Sequence, residues 1–355
     1  MENDTGKNQL QKKELSKESS LKYELPDNLL KKITEIRQYL HKNPELSGEE
    51  YETTEFIKKF LTEYDIKILP FDLKTGVIAE IGEGEKIVAL RADIDALPIN
   101  EMTDYPYKSQ NPGVMHACGH DFHTASLLGA AVVLKQKEKE LKGRVRLIFQ
   151  PAEEINAGAK EVIKSGVLKG VSAIAGFHNK PDLPLGTIGI KSGPLMAAVD
   201  RFEVKINGTG THAAAPQNGN DPIVTASQIV TSIQSIVSRY VSPVDMAIIS
   251  VTKISGGNTW NVIPESVIME GTMRTFKESV QERIKKLFVQ VIKNYTEAFD
   301  QKYEILWGDA HSFVDNDKIL AEAIGKEASI FADVKVPEIT TGGEDFSFYQ
   351  KEVPG

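Results

Sequence analysis

The stretch Val145-Arg-Leu-Ile-Phe149-Gln150-Pro151-Ala152-Glu153-Glu154 decides how this chain folds. A run rich in branched and aromatic residues spells a buried strand, and it ends directly before two carboxylates. The same pattern recurs on either side. Upstream, β-rich runs at Ile66–Leu69, Val77–Ile81 and Ile87–Leu90 lead into Arg91-Ala-Asp93-Ile-Asp95-Ala-Leu-Pro98. Downstream, a helix over about 157–165 precedes the strand Val171–Phe177, which ends at His178. Leu29, Ile33, Ile36 and Leu40 recur at helical spacing, and a second helix is predicted over about 49–63. A third, Thr124–Lys135, is small and apolar, with Asp121 as its expected N-cap. Strands alternating with helices predict an α/β domain with a doubly wound, largely parallel sheet. The polar clusters fall at the carboxyl ends of consecutive strands, where such sheets place their sites.

Near Ser192-Gly193-Pro194 the pattern changes. Strand 199–207, helix 221–240, strands 246–255 and 262–275, helix 278–298 and strand 302–307 follow in order. This βαββαβ order predicts a ferredoxin-like domain inserted over 194–310. The first domain would then comprise 26–193 plus 311–355, the latter carrying a strand over Val334–Ile339. Residues 1–25 lack apolar periodicity and read as a disordered extension.

At 355 residues the chain exceeds one comfortable core, and 41% hydrophobic with 26% charged residues is ordinary globular composition. A net charge of −8 argues against nucleic acid or an anionic membrane as partner. One cysteine permits no internal disulfide, the N-terminus lacks an apolar signal core, and no run is long enough to span a bilayer. A cytoplasmic location is the expectation.

His116-Ala-Cys118-Gly-His120-Asp121-Phe-His123 holds the only cysteine and three of the seven histidines. Cys118 and His120, at i and i+2, aim the same way only in extended or loop backbone. A thiolate and an imidazole together suit zinc, manganese, nickel or cobalt. A bridging thiolate would hold two such ions about 3.5–4 Å apart, the spacing that clamps a water nucleophile. Glu153-Glu154 could be solvated acids at a helix start. Consecutive carboxylates at a strand end point apart, however, which makes Glu154 a candidate ligand and Glu153 a candidate general base. His178 is the fourth candidate ligand. Asp93 and Asp95 are either turn residues or acceptors that fix a histidine tautomer. In the inserted domain, His212 lies in the small-residue loop Gly208-Thr-Gly-Thr-His212-Ala-Ala-Ala-Pro216. It is either a loop hydrogen-bonder or a donor to a tetrahedral oxyanion. Asn261 could bind a substrate carboxylate, and so could Arg274.

Together these residues resemble the metal-dependent aminoacylase and hippurate-hydrolase family, the N-acyl-amino-acid amidohydrolase branch of the two-metal carboxypeptidase-like peptidases. The resemblance runs from about Ile33 to the end. Besides the stretches already quoted, it includes His41-Lys-Asn-Pro-Glu45-Leu, Gly256-Gly257-Asn258, Asn261-Val-Ile-Pro264 and Gly343-Glu-Asp-Phe346. It implies a catalytic domain with an inserted lid that also forms a homodimer. It further implies hydrolysis of N-acyl-L-amino acids by a dinuclear centre. By that likeness Cys118, His120, Glu154 and His178 match metal ligands, Glu153 matches the general base, and His212 matches the lid histidine that reaches an active site. A dipeptidase or an N-acetyl-diaminopimelate-type deacetylase would use the same centre. Family members continue beyond the position of Gly355 and carry a last metal-binding histidine there. The resemblance therefore implies a truncated catalytic domain with four of five protein ligands, and, as a further alternative, a remnant without turnover.

Overall fold

The computed structural model describes residues 28–308 and 310–355. The extension expected over 1–25 lies outside the described residues. Two compact units are present. The first comprises the described residues up to Ser192 together with Asn316–Pro337 and Phe348–Gly355. The second comprises Gly193–Asp315 and Glu338–Ser347.

The first unit begins with α1 (Leu29–Lys42) and α2 (Tyr51–Glu63), which bury Leu29, Ile36 and Leu40 from one and Ile57, Phe60 and Leu61 from the other. The sheet strands are β1 (Lys67–Ile68), β2 (Val77–Ile81), β3 (Ile87–Asp93), β4 (Arg144–Gln150) and β5 (Val171–Gly176). Between β3 and β4 runs α3 (His120–Gln136), and between β4 and β5 runs α4 (Gly158–Lys164). Most residues of α3 are buried, which its small side chains permit. A Cβ on Gly129 would stand 2.3 Å from Ile33 Cδ1, so this glycine lets α1 lie close against α3.

The strand order is β1-β2-β4-β3-β5. β3 runs parallel to both β4 and β5, whereas β2 is antiparallel to β4 and β1 antiparallel to β2. The sheet is therefore mixed, not largely parallel as the sequence pattern predicts. The reason is the link over residues 82–86. It is too short for the crossover that a parallel partner needs, so β2 must oppose β3. Glu80, the one charged residue of β2, faces Arg146 across the ladder and pairs with it at 2.8 Å.

A short strand β6 (Thr187–Gly189) ends the first segment, and β7 (Gly193–Met196) opens the second unit. There β8 (Ala198–Asn207), β10 (Ala247–Gly256), β12 (Ser266–Thr275) and β13 (Lys302–Trp307) form an antiparallel sheet in the order β10-β12-β8-β13. Its core includes residues of α5 (Pro222–Tyr240) and α6 (Glu278–Ala298). Asp221 caps α5 by accepting a hydrogen bond from the Ile223 amide at 2.8 Å, and Pro222 occupies the first turn. The strand expected over 262–275 is broken. Val262–Ile263 forms β11 and pairs with β9 (Thr211–His212), and β12 begins only after Pro264, which has no amide to donate. β14 (Val314–Asn316) and α7 (Lys318–Ala328) follow. The strand expected over 334–339 is confined to β15 (Asp333–Lys335), which pairs with β6 ahead of Pro337. Helix α8 (Phe346–Glu352) closes the chain, and no described helix is long and apolar enough to cross a membrane.

Candidate metal centre

The parallel strands β3, β4 and β5 present their carboxyl ends together, and each end carries polar residues. Asp93 ends β3, Glu153 and Glu154 follow β4, and His178 follows β5. Cys118 comes from the loop that enters α3, and His120 is the first residue of that helix. Gly119 joins them with φ 85°, a left-handed conformation that turns both side chains toward the strand ends. A Cβ at Gly119 would stand 2.3 Å from Asn179 Oδ1. The left-handed backbone alone costs a side-chain-bearing residue about 1–2 kcal/mol. Gly119→Ala is therefore expected to lower the melting temperature and to weaken metal binding by about tenfold, read by competition with a chromophoric chelator.

Ligand atoms of Cys118, His120 and His178 all lie within 4.8 Å of one another, and so do those of His120, Glu153 and Glu154. The Cys118 sulfur is 3.5 Å from His178 Nε2. His120 is the shared corner, its Nε2 3.9 Å from Glu154 Oε1 and 4.0 Å from Glu153 Oε2. Its Nδ1 faces the Asp95 carbonyl at 3.0 Å and the Asp95 carboxylate at 3.2 Å. That places the proton on Nδ1 and a lone pair on Nε2. Both His120 Nε2 and Glu154 Oε1 are buried, and among the described residues neither accepts a hydrogen bond. Two unmatched lone pairs beside a thiol and an imidazole are the donor set a borderline divalent ion takes, so the residues fit the metal that the resemblance implies.

The electrostatics agree. Burial works against charge on His120, but Asp93 and Asp95 outweigh it and hold the imidazole well above its ordinary value. A pocket that favours positive charge at Nε2 also favours a cation there. Burial alone would raise the Cys118 thiol, yet the neighbouring His120 and His178 imidazoles pull it below its usual range, toward the thiolate. Burial pushes Glu154 up, while His120 opposes that rise.

Asp93 and Asp95 are acceptors that orient histidines. Asp95 Oδ2 also accepts from the Ser47 hydroxyl at 2.6 Å and from the Glu154 amide at 3.0 Å, tying the two candidate ligands together. Asp93 Oδ1 accepts from His123 Nδ1 at 2.6 Å and Oδ2 from Arg91 at 2.6 Å. His123 Nε2 in turn accepts the Asn179 amide at 2.8 Å, which leaves neither ring nitrogen for a metal. Burial pushes His116 down to about 4, so it is neutral near pH 7.

Asp121 is not an N-cap. It lies inside the first turn of α3, fully buried, where its Oδ2 accepts from Arg37 Nε at 2.7 Å and His41 Nδ1 at 2.9 Å. Sequence reasoning gave no role to Glu50. This buried carboxylate accepts from the Ala152 amide, the Gly48 amide and the Thr75 hydroxyl, and so braces the turn before Glu153. In sequence Glu50 looks like any acid at a helix start. His41 had a signal, since it opens one of the quoted stretches.

His212, Asn261 and Arg274 belong to the second unit. The β9–β11 ribbon brings the first two together, with Val262 opposite His212 and the Asn261 carbonyl accepting from the Ala213 amide at 2.9 Å. His212 is exposed, and its Nδ1 accepts from the Ala214 amide at 3.0 Å. Arg274 lies on β12, with Nε on the Thr341 carbonyl at 3.1 Å and Nη1 on the Met273 carbonyl at 3.0 Å.

Known proteins share this arrangement of sequence and fold. The pattern of Peptidase family M20/M25/M40 matches residues 89–355. An N-acetyl-L-cysteine deacetylase of Bacillus subtilis is 53% identical over 331 residues, covering 92% of this chain and 79% of that protein. An N-acyl-L-amino acid amidohydrolase of Geobacillus stearothermophilus is 42% identical over 283 residues, covering 79% of this chain and 76% of that protein. Among solved structures, the Bacillus subtilis YXEP protein, described as a dinuclear metal binding peptidase from the M20 family, superposes with a TM-score of 0.83 at 45% identity. That match covers 93% of this chain and 88% of the other. With the family pattern spanning well over half its length, the chain belongs to Peptidase family M20/M25/M40.

Proposed function

We propose that the chain hydrolyses the amide bond of N-acyl-L-amino acids at a centre of two divalent ions. The observation that carries the reading is the cluster around His120. A thiol, two imidazoles and a carboxylate converge there, and a second buried carboxylate, Glu153, stands 4.0 Å from the same nitrogen. The relatives named for N-acetyl-L-cysteine and N-acyl-L-amino acids, and the dinuclear YXEP protein, support it. Cys118, His120, Glu154 and His178 would hold the ions. Ions bound there supply Lewis acidity toward the acyl carbonyl and water.

The chain's own residues do the rest. Glu153 takes a proton from the attacking water and delivers it to the departing amine nitrogen. Because His212 Nδ1 accepts from the Ala214 amide, the neutral ring carries its proton on Nε2. His212 is thereby a donor suited to the tetrahedral oxyanion. Two carbonyls fix the Arg274 guanidinium plane, and with Asn261 it is assigned to the substrate carboxylate. The second unit is assigned as the ferredoxin-like lid of a homodimer, and the first as a doubly wound catalytic domain.

The test is release of free amine by the chain supplied separately with zinc, manganese, nickel or cobalt. N-acetyl-L-cysteine, other N-acetyl amino acids, hippurate and dipeptides form the substrate panel. N-acyl substrates are expected to turn over fastest. Release no greater than in a chelator-treated control for every metal and substrate would refute the reading.

A further inference from the structure

We propose that His41 and Arg37, from α1, position the loop carrying Cys118 and His120 by clamping Asp121. The inference rests on the two-metal reading above. Asp121 directly follows His120 and is fully buried, so its carboxylate must be paired to be tolerated. Both partners come from α1, some eighty residues earlier in the chain, and both meet the same oxygen, Oδ2. The clamp has its own support. His41 Nε2 is 3.2 Å from Glu101 Oε1, and Glu101 Oε2 accepts from the Ser109 amide at 2.7 Å. The Tyr107 ring faces the Arg37 guanidinium at 5.1 Å and meets the His41 ring edge-on at 5.6 Å.

Further along the same helix pair, Ile33 fits against Gly129. Helix α1 therefore grips α3 at two points, an apolar contact at mid-helix and an ionic one in the first turn. The ionic grip lies beside His120, so it sets where that turn sits relative to Asp95 and Cys118. Arg37 and His41 act on His120 through Asp121, its neighbour in the chain. They are positioning residues.

Two substitutions at one position separate positioning from simple support of the fold. The Asn side chain places its amide nitrogen near the imidazole Nδ1, so His41→Asn retains the donor to Asp121 and gives up Glu101. His41→Gln places its nitrogen near Nε2, retaining Glu101 and giving up Asp121. Metal affinity is read with Zn²⁺ and Co²⁺ against a chromophoric chelator. The visible spectrum of the Co²⁺ protein and the melting of the metal-free protein are recorded in parallel. His41→Gln is expected to bind metal about 10–100-fold more weakly with an altered Co²⁺ spectrum, whereas His41→Asn stays close to the wild type. Arg37→Gln, at a partly exposed position, is expected to weaken binding in the same direction. Equal metal affinity in all three variants, with only the melting changed, overturns the inference, and so does His41→Asn binding more weakly than His41→Gln. A wild-type chain that binds no divalent ion would overturn the two-metal reading and this inference with it. Normal wild-type binding with unaltered variants overturns the inference alone.

Discussion

Glu153→Gln is expected to lower kcat by about 10²–10⁴-fold, the usual contribution of a positioned general base, with bound metal unchanged. The substitution keeps the volume and planar shape of the side chain but removes its capacity to take a proton. Glu153 is buried at the end of β4, where a shape-conserving change disturbs packing little. Its neighbour Glu154 is the carboxylate with the unmatched buried oxygen and the backbone tie to Asp95. That asymmetry is why the ligand role goes to Glu154 and the proton-transfer role to Glu153. Metal content is measured by elemental analysis beside turnover. Loss of metal together with activity would make Glu153 a ligand and leave the proton transfer to another group.

Cys118→Ala is expected to release bound metal and abolish turnover with it. The sulfur is the one soft donor of the cluster and stands 3.5 Å from His178 Nε2. Alanine offers no lone pair, and the remaining imidazoles and carboxylate would lose the group that draws them together. The apolar core of the first unit does not include Cys118, so the metal-free variant should melt close to the metal-free wild type. Unchanged metal stoichiometry in the folded variant would reject the sulfur as a metal ligand.

Much of this organisation was legible from local pattern. The bounds expected for β2 and α6 match the observed ones, β2 because Gly76 and Gly82 close it at either end and α6 because its apolar residues recur at helical spacing over its whole length. The placement of Glu153, Glu154 and His178 followed from a simple rule, that parallel strands expose their sites at carboxyl ends, whereas Cys118 and His120 were legible from their own close spacing. What escaped was set by distant partners. The direction of β2 depends on the length of the link to β3, which a period-two pattern does not register. Asp121 has the chemistry of a cap, and only the arrival of Arg37 and His41 turns it inward. The break at Pro264 arises because β11 leaves the main sheet for β9, a choice of neighbour invisible in a run of strand-forming residues.

The reversed run of β2 has a consequence for the reacting end of the sheet. Its neighbours arrive there by their last residues, but β2 arrives by its first, so the chain just before it is available at that rim. Thr75 donates to Glu50 and the Gly76 amide to Thr54, and Glu50 in turn holds the Ala152 amide. A redesign that rethreaded this strand in the opposite sense could retain every apolar contact of the interior. It would nevertheless strip the scaffolding from under the glutamate pair, so a well-folded product could still be a poor catalyst.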